Sequence, residues 1–400
     1  LSTNDLNFFY NEFGANNMFY INTHLKGTLN NFTTHNLMVT DKNNSQIIGN
    51  VTFKKLFSKV KDEFVINGNF DKLFSSFERL NKVMPRVLGK QLPTSLTRLG
   101  SFDINGTVLL THVDIDAKVS VLSELGFLKS KLYINDLMNI DKATYKGTVL
   151  FDKFDIGTLL NEPDLGSISS SVEVDGRGFT KKYLDTDIKG TIASLFYNDY
   201  NYQNITIDGK LKMPYFKGYF NSNDPNLKMD FNGLVDLSSP VNNYNFNAHI
   251  DYANLQMLNI YTNDSISILK AVVDINASGN SIDKIYGTLD LKNLYYQNSK
   301  DFFFFDDFKL QSSFDETKER TITVESPDIV SGKVVGKFKF NQLQKLLENA
   351  VGSLYANYSP NKLEMNQYMI FDFAIYDKVV SALFPNVKVA ENTRFKGEII

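Results

Sequence analysis

The sequence predicts a mostly β protein: an elongated antiparallel sheet curled into an open groove, with two or three short amphipathic helices. Three observations predict it. Apolar and polar residues alternate with period two along most of the chain, the mark of strands with one dry face. Helical periodicity is confined to a few short stretches. The 400 residues include 33 Phe and 20 Tyr but no Cys, so strand pairing and packing must hold the fold without disulfides.

The alternation begins at Phe19-Ile21-Thr23-Leu25 and Ile47-Gly49-Val51-Phe53. Asp71 to Leu88 then changes period. Leu73, Phe74, Phe77, Leu80, Val83, Met84 and Val87 follow three- and four-residue steps, which predicts a helical insertion over 71–90, kinked or ended by Pro85. The clearest strand follows: Val113, Ile115, Ala117, Val119 and Val121 interleave with Asp114, Asp116, Lys118 and Ser120. Phe154 to Asn161 reads as a single turn between strands, as does Leu255 to Ile260.

Strands are expected at Ile205-Ile207-Gly209-Leu211-Met213 and Leu227-Met229-Phe231-Gly233-Val235-Leu237. Others are expected at Tyr244-Phe246-Ala248-Ile250-Tyr252, Phe308-Leu310-Ser312-Phe314 and Val330-Gly332-Val334-Gly336-Phe338-Phe340. A second helix is expected over 341–357, with Leu343, Leu346, Leu347, Ala350, Val351 and Leu354 on one stripe, and a short third over Asp377 to Leu383. Asp175-Gly176 reads as a turn; Asp208-Gly209 and Asn232-Gly233 read as turns or bulges. Asn223 to Asn226 and Ser238 to Pro240 read as loops.

A Gly-Thr-apolar triplet is expected to open several strands, at Gly27, Gly106, Gly147, Gly190 and Gly287. Gly106, Gly147 and Gly190 stand 41 and 43 residues apart, and Gly233 follows after another 43. That recurrence predicts a repeat-built array, grown linearly as one architecture over residues 1–400.

Several chemistries are excluded. Lys and Arg number 42 against 45 Asp and Glu, a net charge of −3, which gives no electrostatic reason to bind nucleic acid. His24, His35, His112 and His249 are scattered, and no His-x-x-x-His spacing suits zinc. Gly176-Arg177-Gly178 lacks the third Gly and following helix of a dinucleotide site. No phosphate-binding loop or nucleophile elbow is present. The expectation is a protein that is not an enzyme and uses no cofactor and no metal. Asp301, Asp306 and Asp307 flank four consecutive Phe and read as gatekeeping charges rather than calcium ligands.

No apolar run approaches the roughly 20 residues of a membrane-spanning helix. Neither end resembles a natural terminus, so the chain is expected to be a fragment of a longer protein with any anchor outside it.

The strands outnumber the helices that would cover them. About seventeen strands carry one apolar face each, against two or three helices. The dry faces must meet one another in a sandwich, close into a barrel, or line a trough filled by something other than protein. Linear growth favours the trough, and acyl chains suit it: at about 0.8 kcal/mol per buried CH₂, a sixteen-carbon tail gains on the order of 10 kcal/mol before costs. The expected lining is Val113, Ile115, Val119, Val121, Ile205, Ile207, Leu211, Phe231, Val235, Leu237, Phe246, Ile250, Phe338 and Phe340.

Certain segments resemble a known family. Gly209-Lys210-Leu211-Lys212, then Phe216-Lys217-Gly218-Tyr219-Phe220-Asn221-Ser222-Asn223-Asp224-Pro225-Asn226-Leu227, resemble the translocation and assembly module TamB of the AsmA-like superfamily. So do Phe231-Asn232-Gly233-Leu234-Val235-Asp236-Leu237 and Tyr252-Ala253-Asn254-Leu255, with the style of Ile188 to Ile192 and Tyr202 to Ile207. The resemblance is clearest over 100–340. It implies a periplasmic β-groove, anchored in the inner membrane through a segment not in this chain. It further implies phospholipid movement between inner and outer membranes, assistance to outer-membrane protein assembly, and an outer-membrane β-barrel partner. Two rival readings remain: a structural or adhesive β-repeat protein with a sealed core and no ligand, and a scaffold offering strand edges to folding barrels.

Overall fold

A computed structural model describes residues 1–8, 14–55, 64–83, 85, 94–136, 139, 141–327, 329–355, 357–364, 366–376, 390 and 393–399, and the structural statements below concern those residues. The chain divides into two compact units, Leu1–Met213 and Pro214–Ile400.

Unit 1 holds eleven strands: β1 (Phe19–Thr28), β2 (Asn31–Asp41), β3 (Gln46–Lys54), β4 (Val65–Ser76), β5 (Ser101–Leu110), β6 (Asp114–Ser123), β7 (Gly126–Asn135), β8 (Thr144–Asp155), β9 (Leu165–Arg177), β10 (Asp185–Tyr197) and β11 (Tyr200–Lys212). Three short helices accompany them, α1 (Thr3–Asn7), α2 (Phe77–Val83) and α3 (Ile156–Leu160). Unit 2 holds β12 (Tyr215–Asp224), β13 (Leu227–Asp236), β14 (Asn243–Asn254), β15 (Ser267–Ser278), β16 (Tyr286–Asn298), β17 (Phe302–Phe314), β18 (Arg320–Glu325), β19 (Val330–Lys337), β20 (Tyr368–Ile375) and β21 (Thr393–Ile399), with one helix, α4 (Leu343–Gly352).

Within each unit every strand pairs antiparallel with the next in sequence. No described strand of a unit returns to close it into a barrel. The expected class, mostly antiparallel β with few short helices, is therefore the one found.

Local chemistry sets the meander. Asn198 and Asp199 both take positive φ, 50° and 58°, the two-residue turn whose twist matches its flanking strands, and Tyr197 pairs directly with Tyr200 across it. The Asp41 carboxylate accepts from the amides of Asn43 and Ser45 at 2.8 and 2.7 Å, turning β2 into β3. Asp315 does the same between β17 and β18, accepting from Thr317 and Glu319 at 2.9 and 2.8 Å.

Several expectations need correction. Asp71 to Ser76 is strand, and the helix begins only at Phe77. A bulge between Phe70 and Leu73 adds one residue to β4, so two inward side chains fall three apart and imitate a helical step. Met84, Val87 and Leu88 lie outside the described residues, as does Asp377 to Leu383. The second helix forms, from Leu343 to Gly352. Asp175-Gly176 is no turn but lies inside β9, opposite Asp187 and Thr186. The Gly-Thr glycines mostly stand inside strands rather than opening them, as Gly106 does in β5 and Gly190 in β10. Nor does their spacing count a fixed number of strands. Gly106 to Gly147 spans β5 to β8, whereas Gly147 to Gly190 spans only β8 to β10, because α3 lengthens that interval.

Candidate functional site

The register aligns the apolar residues of unit 1 into rows that cross the strands. One row runs Phe53, Ile66, Leu110, Ile115, Ile134, Tyr145, from β3 to β8. Another, toward the opposite strand ends, runs Ile47, Leu73, Ile104, Val121, Leu128, Phe151. Between them lie two rows built differently. The first is Gly49, Phe70, Gly106, Val119, Ser130, Val149; the second is Val51, Gly68, Val108, Ala117, Leu132, Gly147. Small and large residues alternate along each row, in opposite phase, so each strand from β3 to β8 carries one small and one larger residue at its centre. The pattern lapses at β9, with Val172 and Val174, and resumes with Gly190 and Ile188, then Ile207 and Gly209.

Directly opposed side chains on neighbouring strands sit about 5 Å apart. Deleting every second one along the midline lets the larger neighbours lean over the gaps. Four of these glycines, Gly49, Gly106, Gly147 and Gly190, are also required by the backbone. Gly106 and Gly190 have φ of +133° and +152°, and a Cβ there would approach the carbonyls of Lys118 and Ser171 at 2.1 and 2.2 Å.

The opposite face is charged. Lys146 meets Asp175 and Lys189 meets Asp208, both at 2.7 Å, across adjacent strands. Asp185 receives Arg177, Lys210 and Lys212 at 3.2 to 3.3 Å. Burial pushes the Asp185 carboxyl up, but hydrogen bonds from Lys212 and Lys210 outweigh it and hold the group below the usual carboxylate range. Polar groups at apolar parity are mostly turned into the backbone: Thr34 and Ser222 donate to the Val51 and Leu227 carbonyls at 3.1 and 2.9 Å.

Unit 2 repeats the two-faced design with more aromatic side chains. Phe216, Phe231 and Phe246 form a line of rings with centroids 6.0 and 5.0 Å apart across β12, β13 and β14. One row runs Gly233, Phe246, Ile275, Leu289, Leu310, Val324, Gly332, Phe373, unbroken from β13 to β20. Its two halves differ in cover. Phe246, Ile275 and Leu289 are half-buried, with no described helix packed on them. On β18 and β19, Ile322, Val324 and Val334 are buried together with Phe338; Phe340 and Leu343 pack against them from beyond β19, and Phe371 and Phe373 flank them in register on β20.

The expected lining residues divide accordingly. Ile115, Val119, Val121, Ile205, Ile207 and Leu211 stand on the apolar face of unit 1, and Phe231, Val235, Phe246 and Ile250 on that of unit 2. Val113 does not: it precedes β6 and is 44% exposed, in a turn where the Thr111 hydroxyl accepts from the Asp114 amide at 2.9 Å. Leu237 lies beyond the end of β13 and is exposed. Phe338 and Phe340 follow β19 instead of extending it, in the sealed cluster.

Arg320 escaped the sequence reading. It is 3% exposed, and its Nε donates to Ser312 at 3.0 Å while its two Nη donate to the Ile282 and Ile285 carbonyls at 2.9 and 2.8 Å. Its guanidinium lies over the Phe314 and Phe340 rings. Burial lowers its pKa, and the nearby Asp283 opposes that shift. The available signal was parity, since Arg320 alternates with Ile322 and Val324.

His249 is exposed, 3.5 Å from Asp251. Among the described residues no group of three or more His, Asp or Glu could hold a metal ion, and no helix is long and apolar enough to cross a membrane. No family model, no curated protein and no solved structure matches the chain.

Proposed function

We propose that the apolar faces of the two units shield lipid acyl chains from water, without catalysis. One observation carries the reading: across β12 to β16 the apolar side chains Phe216, Phe231, Phe246, Ile275 and Leu289 follow one another and are half-buried, with no described helix covering them, behind a polar outer face. Exposed apolar surface on this scale calls for a partner. A hydrocarbon tail needs no hydrogen bonds, so a face whose hydroxyls mostly bond to backbone suits it. Headgroups would remain in water. The resemblance to TamB extends the proposal to phospholipid passing between inner and outer membranes in the periplasm, and to aid in outer-membrane protein assembly with a β-barrel partner.

The test is chemical. Purified protein is extracted with organic solvent and the extract is examined by mass spectrometry, for the native chain and for Phe231→Asp. Phospholipid should accompany the native protein and fall severalfold in the variant, because a carboxylate in the row must be desolvated when a tail covers it. Lipid absent from the native protein, or unchanged in the variant, would defeat the proposal. The sealed cluster around Ile322 and Val334 favours a second reading, a structural β protein with no ligand; that reading gains if no preparation carries lipid.

A further inference from the structure

The outer face of unit 2 is polar along the middle of its strands, where Tyr219, Asn232, Asn247, Asp274, Asp290 and Lys309 follow one another in register from β12 to β17. At one end of β15 to β17 the same face turns aromatic. Gln297 stands between Ile268 and Phe302, and Tyr295 between Lys270 and Phe304. Phe302 is 63% exposed, its ring stacked on Tyr295 with centroids 6.1 Å apart, and the Lys270 ammonium lies over the Tyr295 ring. Two connections meet at this strand end, residues 255–266 after β14 and residues 299–301 after β16, where the Asp264 carboxylate accepts from the Ser299 amide at 3.3 Å. The first connection is anchored by Leu258, which is fully buried, while Met257, Ile260, Tyr261 and Ile266 are exposed, Ile260 to 62%.

Many amides of both connections are bonded from within. The Leu255 carbonyl accepts from the Ile260 and Tyr261 amides at 2.9 and 3.0 Å, and the Asn254 side chain accepts from the Met257 amide at 3.2 Å. Asn298 accepts from the Lys300 and Asp301 amides at 2.9 and 2.7 Å, and Asp264 accepts from the Ile266 amide at 3.3 Å. A loop tip bonded in this way can leave water without stranding those groups. The charges are sorted to match. Asp264 and Asp301 are turned into backbone amides, Asp301 accepting from that of Phe302 at 2.8 Å. Among the described residues, Lys270 and Lys300 have no carboxylate at ion-pair distance. Uncompensated ammonium groups beside an aromatic and aliphatic tip complement phosphate headgroups lying above acyl chains.

We propose that this strand end is an anchor for a membrane surface: Met257, Ile260, Tyr261, Ile266, Phe302 and Phe304 enter one leaflet, and Lys270 and Lys300 meet anionic lipid phosphates. Such an anchor lies in the interface and does not span it. Phe302 and Phe304 stand on the face opposite the apolar row, and the anchor does not depend on the acyl-chain reading of that row.

The chain has no Trp, so a single introduced one reports its own surroundings. Ile260→Trp, Phe304→Trp and Leu150→Trp, the last a control on the outer face of unit 1, are each mixed with vesicles of equal parts phosphatidylglycerol and phosphatidylcholine, with and without bromine on the acyl chains. Emission from the first two should shift to the blue and be quenched by the brominated lipid; emission from the control should do neither. In co-sedimentation with these vesicles, Ile260→Ser with Phe302→Ser should weaken binding by about tenfold or more. Lys270→Gln with Lys300→Gln should weaken it about tenfold here and leave binding to pure phosphatidylcholine unchanged. Circular dichroism checks that each variant keeps its β content; if the serine variant does not fold, the Trp emission decides. No quenching at the first two positions, or equal quenching at all three, overturns the anchor. A blue shift without vesicles that grows with protein concentration assigns the patch to a second copy of the chain and overturns it too. Neither result touches the acyl-chain reading, which lipid extraction tests separately.

Discussion

Gly190 has a backbone that L side chains rarely adopt and sits against the Ser171 carbonyl. Gly190→Ala should therefore cost about 1–3 kcal/mol, through strain and the displaced neighbour. Urea unfolding should show an earlier midpoint, and an unchanged midpoint would refute the account. The Gly-Thr triplet drew attention to this residue, but not to the reason for it. Which residue lies opposite a glycine depends on strand register, and no local pattern contains that. Asp230 carries a different prediction. The Tyr219 hydroxyl donates to it at 2.6 Å and Asn221 at 2.9 Å, and these bonds hold its carboxyl below the usual range. A depressed folded pKa contributes stability above the unfolded value, about 3.9, that is lost as pH falls through the folded one. Asp230→Asn should therefore lose less stability than the native protein when acidified from about pH 5 to about pH 3. Parallel losses in urea midpoint would contradict this.

At the scale of elements, the hairpin of β16 and β17 divides four consecutive phenylalanines between its faces. Phe303 and Phe305 oppose Tyr296 and Leu294, while Phe302 and Phe304 are 63% and 45% exposed on the other side. Replacing Phe302 and Phe304 by Ser should lower aggregation, read by light scattering, and leave the melting midpoint nearly unchanged. A large fall in midpoint would mean the two rings support the fold. Strand interiors were legible in sequence because alternation is a property of consecutive residues. Strand ends were not. Alternation runs past β13 to Leu237 and past β19 to Phe338, but the chain leaves the ladder where partners and turn hydrogen bonds dictate. Asp71 to Ser76 failed for a related reason: one bulge changed a period of two into a step of three.

At the scale of the whole molecule, the apolar faces lack the usual balance between buried and exposed surface. In unit 2 a cluster of buried apolar side chains forms around Ile322, Val324, Val334 and Phe338, and within each unit the other residues facing inward are largely half-buried. Binding a tail there should remove apolar surface from water and give a negative heat-capacity change. Titration calorimetry with a soluble single-chain phospholipid at several temperatures measures it. Heat of binding with no temperature dependence would mean the tail is not buried, and the groove would lose its physical basis.

By itself the sequence determined where most strand interiors lie, that each strand has a dry and a wet face, and that metal and nucleophile motifs are missing. These follow from neighbours along the chain, whose side chains point alternately up and down whatever the strand pairs with. Tertiary structure alone decided the alignment of the glycines into opposed rows, the burial of Arg320, and the packing of Phe338, Phe340 and Leu343 against Ile322, Val324 and Val334. Each depends on contacts between residues far apart in sequence, and those are chosen by register and packing over the entire unit.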